Sequence, residues 1–328
     1  MNCATIAGRW KTAASSAAKS ASDYLKNKYG EKVYKLPVNL PVGCPNREDG
    51  YGCAFCDGVG TGFEAMDSHV PVIDQLLETK VKIEKKYKAH KFIAYFQNYT
   101  NTYLPIDQFE TYIREAACLP EIVEISVSTR PDCIRRDYLE VLRKVQQEYG
   151  TEITIELGLQ TVNYHTLKEI HRGHGLAEFI QAVLLIAEFG YTVCTHMILN
   201  LPGDTLEDAR EGARFLSALP VHIVKLHSLY IPKNSLLYQQ YLDDKIALCE
   251  KEEYIKRAAE FISLLRPDMI VERIFSRIPE EYAAFSNWGV SWWKLNELFE
   301  EYMTSMGYTQ GCRFDYLNGA ALKKLEVK

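Results

Sequence analysis

The sequence predicts an α/β fold with parallel strands, either an incomplete barrel or a doubly wound sheet, followed by an α+β extension. Two observations predict it. Apolar, β-branched runs recur along the chain, and helix-length segments of 3.6-residue period separate them. Strand, helix and strand in alternation give parallel strands joined by right-handed crossovers, and six such units over about 200 residues suffice for either architecture. In both, ligands collect at the carboxyl ends of the strands.

The expected strands are "KVYKLPVNLP" (32–41), "KFIAYFQ" (91–97), "EIVEISVS" (121–128), "EITIELGLQ" (152–160), "YTVCTHMILNLPG" (191–203) and "VHIVKLHSLYIP" (221–232). Between them, 68–90, 105–118, 135–149, 163–189 and 205–219 carry helical periodicity, with Asp107 and Asp204 as caps near two starts. After about residue 235 the rhythm breaks into a helical stretch, a strand-like "MIVERIFSRI" (269–278) and an aromatic helix around 291–306. The expected organisation is an N-terminal extension (1–23), a barrel-type unit (24–235) and a C-terminal extension packing on it (236–328).

Composition narrows the function classes. The chain has 328 residues and a net charge of −5, so no global positive field recruits nucleic acid and any such contact must be local. No window approaches the roughly 18 uninterrupted apolar residues of a membrane helix, so a soluble chain with no membrane partner is expected. Nine mostly scattered cysteines do not read as a secreted disulfide framework, and a reducing cytoplasm is the expectation. Residues 1–22 carry Arg9, Lys11 and Lys19 with no acid before Asp23, which is the charge pattern of a transit peptide or of a plain N-terminal extension.

The chemistry concentrates in "VGCPNREDGYGCAFCDGVGTGFE" (42–64), just past the first strand. Cys44, Cys53 and Cys56 are spaced C-x8-C-x2-C, with Gly43, Gly50, Gly52, Gly58, Gly60 and Gly62 around them. Glycines let a loop fold tightly around something compact. Three thiolates so close suit a soft-ligand site, either zinc or an iron–sulfur cluster. Structural zinc wants a fourth ligand; Asp57 and His69 are the nearest, at no zinc-ribbon spacing, and a second C-x2-C pair is missing. A cubane held by three cysteines keeps one iron open to a substrate or cofactor.

That arrangement, with Phe55 immediately before the last cysteine, resembles the radical S-adenosylmethionine superfamily. "STRPDC" (128–133), "ELGLQT" (156–161) with "IHRGH" (170–174), and "LNLPGDT" (199–205) resemble its elongator-like branch. "GEKVYKLPVNLPVGCPNR", "AYFQNYTNTY" and "VKLHSLYIPKNS" resemble the YhcC/YtqA family, over roughly residues 24 to 315. The stretch between the first two cysteines is shorter here than is usual in that family. The resemblance implies an incomplete (β/α)6 radical-SAM barrel in which Cys44, Cys53 and Cys56 ligate a [4Fe–4S] cluster. An electron passed from that cluster to S-adenosyl-L-methionine would yield a 5′-deoxyadenosyl radical, with an electron donor such as flavodoxin or ferredoxin as partner. Gln97 and Asn98 fall where the superfamily recognises the methionyl amino group. Glu156 and Gln160, at the end of the fourth strand, are candidates for the ribose hydroxyls, and Arg172 for the methionyl carboxylate. Asn200, Pro202 and Gly203 would shape the turn under the ribose and adenine, with Leu229, Tyr230 and Ile231 flanking the adenine.

Each residue has a structural alternative: an internal salt bridge for Glu156, a Pro131 turn for Arg130 and Asp132, and loop hydrogen bonds for His171 and His174. His196 and His227 are candidates for the cavity or for the core. Cys133, Cys194 and Cys312 are second thiols or unreactive buried cysteines. For the substrate, Lys80, Lys82, Lys85, Lys86, Lys88 and Lys91 form a local cationic face that suits phosphate contacts or a solvated helix. Trp288, Trp292 and Trp293 suit base stacking or packing of the extension. The resemblance implies tRNA as a partner and conversion of carboxymethylaminomethyl to aminomethyl uridine at the wobble position. The alternatives are radical modification of a small metabolite or protein side chain, and a non-catalytic iron–sulfur or zinc interaction protein.

Overall fold

In the computed structural model, which describes residues 18–48, 50, 52–56 and 65–326, strands and helices alternate through most of the chain. The order is α1 (Ala21–Tyr29), β1 (Val33–Val38), a single-turn α2 (Pro45–Glu48), α3 (Val72–Tyr87), β2 (Lys91–Phe96), α4 (Ile106–Ala117), β3 (Ile122–Thr129), α5 (Arg136–Tyr149) and β4 (Glu152–Gln160). There follow α6 (Tyr164–Glu169), α7 (Leu176–Glu188), β5 (Thr192–Ile198), α8 (Leu206–Ser217), β6 (Ile223–His227) and β7 (Tyr230–Pro232). The extension holds α9 (Leu236–Leu242), α10 (Lys251–Leu264), β8 (Ile270–Val271), β9 (Ala283–Ser286), α11 (Trp292–Ser305) and α12 (Lys323–Glu326). Of the expected N-terminal extension (1–23), residues 1–17 lie outside the described residues, and α1 begins within the rest.

The sheet is wholly parallel and ordered β1-β2-β3-β4-β5-β6-β8, an open barrel rather than a doubly wound sheet. It has seven strands where six were expected. The seventh comes from the extension: Ile270 and Val271, inside the strand-like segment 269–278, pair with Ile223 and Val224 and so join the main sheet, a long-range pairing the sequence pattern does not show. β1 and β8 are the two edges. β1 contains Pro37, and Ser20 bridges to Val271 so that the start of α1 lies against the β8 edge. β7 and β9 form a separate antiparallel pair.

Strand alternation sorts the side chains. Phe92, Ala94 and Phe96 of β2, Ile125 and Val127 of β3, and Ile153, Ile155 and Leu157 of β4 are buried in the apolar layer beneath the helices. Helix faces answer at the matching period: Tyr138, Leu139, Val141, Leu142 and Val145 of α5 are buried, and Gly150 ends that helix at φ 73°. Two expected caps are not caps. Asp107 sits in the first turn of α4, which starts at Pro105 without a side-chain cap, and Thr205, not Asp204, caps α8, its hydroxyl accepting from the Asp208 N–H. The expected helix 163–189 is two helices, because the chain between α6 and α7 takes positive φ at His171 and Gly173. α10 packs on α8 where Gly212 brings Met197 and Phe261 within van der Waals range. Among the described residues no helix is long and apolar enough to cross a membrane.

Candidate functional site

All three cysteines of the glycine-rich loop lie past the carboxyl end of β1, each a free thiol, Cys53 being buried. Backbone bonds set their positions. The Arg47 N–H donates to Cys44 O (2.9 Å) and the Cys56 N–H to Cys53 O (2.9 Å), while Ala54 is tied on both sides, its N–H to Ile170 O (2.9 Å) and its carbonyl accepting from Leu237 N–H (2.8 Å). Ala54 and Phe55 join Ile170, Leu201, Leu229, Ile231 and Leu237 in one apolar cluster, so the loop is roofed by residues from three later segments. Asp57, Gly58, Gly60 and Gly62 lie outside the described residues.

N–H donors converge on the sulfurs. Asn46 Nδ2 points at Cys53 Sγ (3.4 Å) and donates to His171 O (2.6 Å); Arg172 Nη1 points at Cys53 Sγ (3.4 Å) while Nη2 donates to Gly158 O (2.6 Å); Arg47 Nη1 lies 3.9 Å from Cys56 Sγ. Such donors stabilise thiolate charge, the state in which sulfur binds metal. Around a single tetrahedral zinc, thiolate sulfurs would stand about 3.8 Å apart, given Zn–S distances of about 2.3 Å. Among the described residues the one trio with ligand atoms all within 4.8 Å of one another is Glu156, Cys194 and His196, not these cysteines. Three soft ligands with N–H donors at the sulfurs suit an iron–sulfur cluster. His69 is exposed, and its Nδ1 is bonded to Asp67 (2.8 Å).

Two glycines allow this packing. A Cβ at Gly158 would lie 2.7 Å from both Arg172 Nη2 and Gln160 Nε2, and one at Gly173 (φ +77°) would overlap Asn46 Oδ1 and sit 2.9 Å from Arg130 Nη2. Gly173→Ala therefore combines left-handed strain with displacement of the Asn46 side chain. A loss of about 1–3 kcal/mol in stability is expected, with reduced iron uptake on anaerobic reconstitution; urea unfolding and iron assay check both.

Other expected site residues fall as follows. Gln97 and Asn98 follow β2 directly, and the Asn98 side-chain oxygen is buried without a partner among the described residues, as is the Asn200 Nδ2. Asn200 Oδ1 accepts from the Leu229 N–H (2.7 Å), joining the ends of β5 and β6. Gln160 ends β4 at φ 80°, where a register shift against β5 turns the strand. Gly203 takes φ +91° beside Thr166 and Glu169, after Pro202. Leu229 and Ile231 are buried in the apolar roof and Tyr230 begins β7. Arg172 spends its fork on Cys53 and Gly158, leaving a buried Nε unpartnered, so it holds the loop rather than presenting a free fork. His174 stands 3.2 Å from Gly158 O, its pKa pulled down to about 4 by burial and by Arg172. Burial and Asp132 push the Cys133 thiol up to about 12, so it stays protonated.

Glu156 requires correction. It lies mid-strand rather than at the strand end, and both its oxygens are occupied. Oε1 accepts from Lys35 Nζ (2.7 Å) and Ser126 Oγ (2.8 Å); Oε2 meets His196 Nε2 (2.7 Å), Tyr95 OH (3.1 Å) and Lys225 Nζ (3.2 Å). Glu272, just past β8, accepts from Lys35 (2.8 Å) and Lys225 (3.2 Å). Six strands and the residue following the seventh thus place polar side chains in a single interior layer: Lys35, Tyr95, Ser126, Glu156, His196, Lys225 and Glu272 in sheet order. Closed barrels fill such layers with apolar branched residues. Only Glu156 and His196 stood out in the sequence, because a lone polar residue in an apolar strand carries no local signature. Burial opposes ionisation of Glu156, but Lys225 and Lys35 outweigh it and hold its pKa well below the usual range. Glu272 is drawn down to about 2 by the same lysines, against burial. Burial and Lys225 keep His196 neutral, and burial with Arg273 does so for His227.

A lowered carboxylate pKa stabilises the fold fully above the unfolded value, about 4.3, and the stabilisation fades as pH falls through the folded value. Stability should therefore decline between about pH 5 and pH 2, the latter set by Glu272. In Glu272→Gln that acid slope should shrink, as read from urea midpoints across the pH series.

The lysine stretch, read as a phosphate face or a solvated helix, runs along the later part of α3 into the start of β2. Lys88 and Lys91 flank the turn from α3 into β2, at the amino edge of the sheet and opposite the cysteine loop. Lys80 bonds Glu121, Lys82 bonds Glu78, and Lys91 pairs with Glu31. Of the tryptophans, Trp288 packs between Tyr254 and Phe285 and donates to Cys249 O (2.8 Å), while Trp293 is partly exposed.

Comparison with known proteins agrees with this architecture. The Radical SAM superfamily profile matches residues 38–216, and the Radical SAM C-terminal domain profile matches residues 221–305. The uncharacterized protein MJ0486 of Methanocaldococcus jannaschii is 30% identical over 294 residues, 89% of this chain and 90% of its own. YtqA of Bacillus subtilis, also uncharacterized, is 30% identical over 297 residues, 90% of this chain and 92% of its own. YhcC of Escherichia coli is 32% identical over 253 residues, 76% of this chain and 80% of its own. The solved structure of archaeal Elp3 from Methanocaldococcus infernus superposes with a TM-score of 0.64 at 18% identity, over 85% of this chain and 64% of that one, a likeness of fold. A protein named tRNA uridine(34) acetyltransferase from Methanocaldococcus infernus is 23% identical over 314 residues, 84% of this chain and 57% of its own length.

Proposed function

The chain belongs to the Radical SAM superfamily, alongside YtqA, YhcC and MJ0486, and from that premise we propose that it remodels the wobble uridine side chain of tRNA, converting carboxymethylaminomethyl to aminomethyl uridine. Enzymes of the superfamily use a [4Fe–4S] cluster and S-adenosyl-L-methionine; when bound, the cluster supplies one electron to the sulfonium, and the 5′-deoxyadenosyl radical so released takes a hydrogen atom from the substrate. In this reading Cys44, Cys53 and Cys56 hold the cluster, oriented by Asn46, Arg47 and Arg172. Gln97 and Asn98 receive the methionyl amino group, Gln160 the ribose, and Asn200, Pro202 and Gly203 the turn beneath it, with Leu229 to Ile231 against the adenine. Flavodoxin or ferredoxin would serve as electron donor.

The interior polar layer is where this chain's residues would hold a substrate. Two carboxylates, Glu156 and Glu272, face two ammonium groups, Lys35 and Lys225, and His196 and His227 are neutral. Arg273, beside His227 (2.8 Å), has no carboxylate partner among the described residues and leaves one positive charge to meet a substrate carboxylate. Burial of the layer keeps water from a reactive carbon radical and fixes the substrate's orientation.

The observation that carries the radical reading is the convergence of Asn46 and Arg172 N–H groups on Cys53 at the carboxyl end of the sheet. The uridine assignment is supported by the relative whose name gives tRNA uridine(34) as its target. Mass spectrometry of tRNA nucleosides from a strain lacking the protein tests it. Carboxymethylaminomethyl uridine should accumulate and aminomethyl forms disappear. An unchanged profile would remove the uridine assignment and leave the radical chemistry standing.

A further inference from the structure

A row of interior side chains runs from the centre of the polar layer to the end of β6. His196 Nε2 meets Glu156 (2.7 Å), the His196 and His227 rings stack with centroids 5.4 Å apart, and Arg273 Nη2 lies 2.8 Å from His227 Nδ1. We propose that Arg273, backed by His227, discriminates substrate from product: it receives the carboxylate of an N-carboxymethyl amine and repels the primary ammonium left when that group is lost. The carboxylate chemistry is read from the row itself, whereas its carrier, the wobble uridine, rests on the proposed function.

Charge singles out this residue. Lys35 and Lys225 are matched by Glu156 and Glu272, so that part of the layer is balanced. Burial and the neighbouring cations keep His196 and His227 neutral. An imidazole can accept one N–H, but it brings no negative charge. Arg273 therefore keeps its full charge, and its buried Nε has no partner among the described residues. A buried donor beside an unmatched charge is costly unless a ligand answers both. A carboxylate does so, with two acceptor oxygens for the guanidinium fork and one negative charge.

Position and room agree with that reading. His227 is the last residue of β6, so the guanidinium beside it stands toward the carboxyl end of the sheet, the end at which the cysteine loop follows β1. Arg273 also lines a cavity of about 240 Å³ at the open seam between the β1 edge and the chain leaving β8. An N-carboxymethyl amine is a zwitterion at neutral pH, and the primary amine that remains without the carboxymethyl group is a cation. Next to an unmatched guanidinium, in surroundings less polarisable than water, the first is attracted and the second repelled. A site built around a buried polar group rejects the analogue that leaves this group unpaired. Substrate is thus held where product is released.

Isothermal calorimetry on the anaerobically reconstituted chain with S-adenosyl-L-methionine but no reductant, so that nothing turns over, tests the assignment. N-benzylglycine should bind saturably and at least tenfold tighter than benzylamine. Arg273→Gln should abolish that preference and Arg273→Glu should reverse it, a change of sign that misfolding would not produce. Lys85→Gln, in the last turn of α3 at the opposite end of the barrel, should match the parent. Absence of saturable N-benzylglycine binding, or a preference that survives Arg273→Gln, overturns the assignment. Stem-loop RNAs carrying carboxymethylaminomethyl or aminomethyl uridine at the wobble position, compared in the same way, identify the carrier. A tenfold preference for the first supports the uridine. Equal binding of the two, with N-benzylglycine behaving as expected, leaves the carboxylate element standing and overturns the uridine as its carrier.

Discussion

Cys53→Ala is expected to lose most of its iron on anaerobic reconstitution and to release no 5′-deoxyadenosine above background. Cys53 is the buried member of the three, and its sulfur receives Asn46 and Arg172 together. Without it, two thiols cannot retain a cubane, and both donors lose their acceptor. The accompanying cost is about 1–3 kcal/mol, the range for an unsatisfied buried polar group, so the chain should still fold. Cys118→Ala, exposed at the end of α4, supplies the control and should behave as the parent does. Iron per chain, the visible spectrum and chromatographic assay of 5′-deoxyadenosine give the reading. A Cys53→Ala protein that still cleaved the cofactor would falsify the ligand assignment.

Glu156→Gln should produce the largest loss of stability. The carboxylate is 1% exposed and neutralises the buried Lys225 and the half-buried Lys35. Its amide replacement leaves Lys35 and Lys225 facing Glu272 alone. Breaking one side of a buried ion pair costs about 3–5 kcal/mol, because the remaining charge stays desolvated. The cause can be isolated: Glu156→Gln combined with Lys225→Met removes one charge of each sign and should recover much of the loss. Equilibrium urea unfolding of the two variants decides. If the double variant is no more stable than the single one, the destabilisation came from lost packing and not from stranded charge.

Much of this molecule was legible in its sequence, for definite reasons. Strands buried on a helix-covered face read as apolar runs, and β1 to β4 lie close to expectation, while β5 ends five residues early and the expected 221–232 divides into β6 and the separately paired β7. The cysteine spacing marked the loop because three soft ligands beside six glycines are uncommon in ordinary turns. What escaped notice was non-local. The strand-like 269–278 is legible, but not that its residues 270 and 271 pair with β6 in the main sheet, which depends on α10 and the preceding loop bringing them there. Lys35, Tyr95, Lys225 and Glu272 are single polar residues within apolar strands, and only assembly of all seven strands puts them in reach of one carboxylate. The break between α6 and α7 had a signal, Gly173 and Gly175 within "HRGHG", which the continuing helical period outweighed. The lysines near residue 85 were seen correctly as a charged face; connectivity, which their spacing could not show, puts them at the far end of the barrel.

An unclosed barrel carries a hazard that a closed one avoids, since each outermost strand offers unpaired backbone groups to a neighbouring molecule. Here Pro37 removes a donor from one such border, while the other is only two residues long and is partly covered where Ser20 meets Val271. The segment ahead of β1 therefore covers part of the short border as well as continuing into the first strand. Trimming residues through Tyr29 would uncover the short border, and self-association at high concentration would follow.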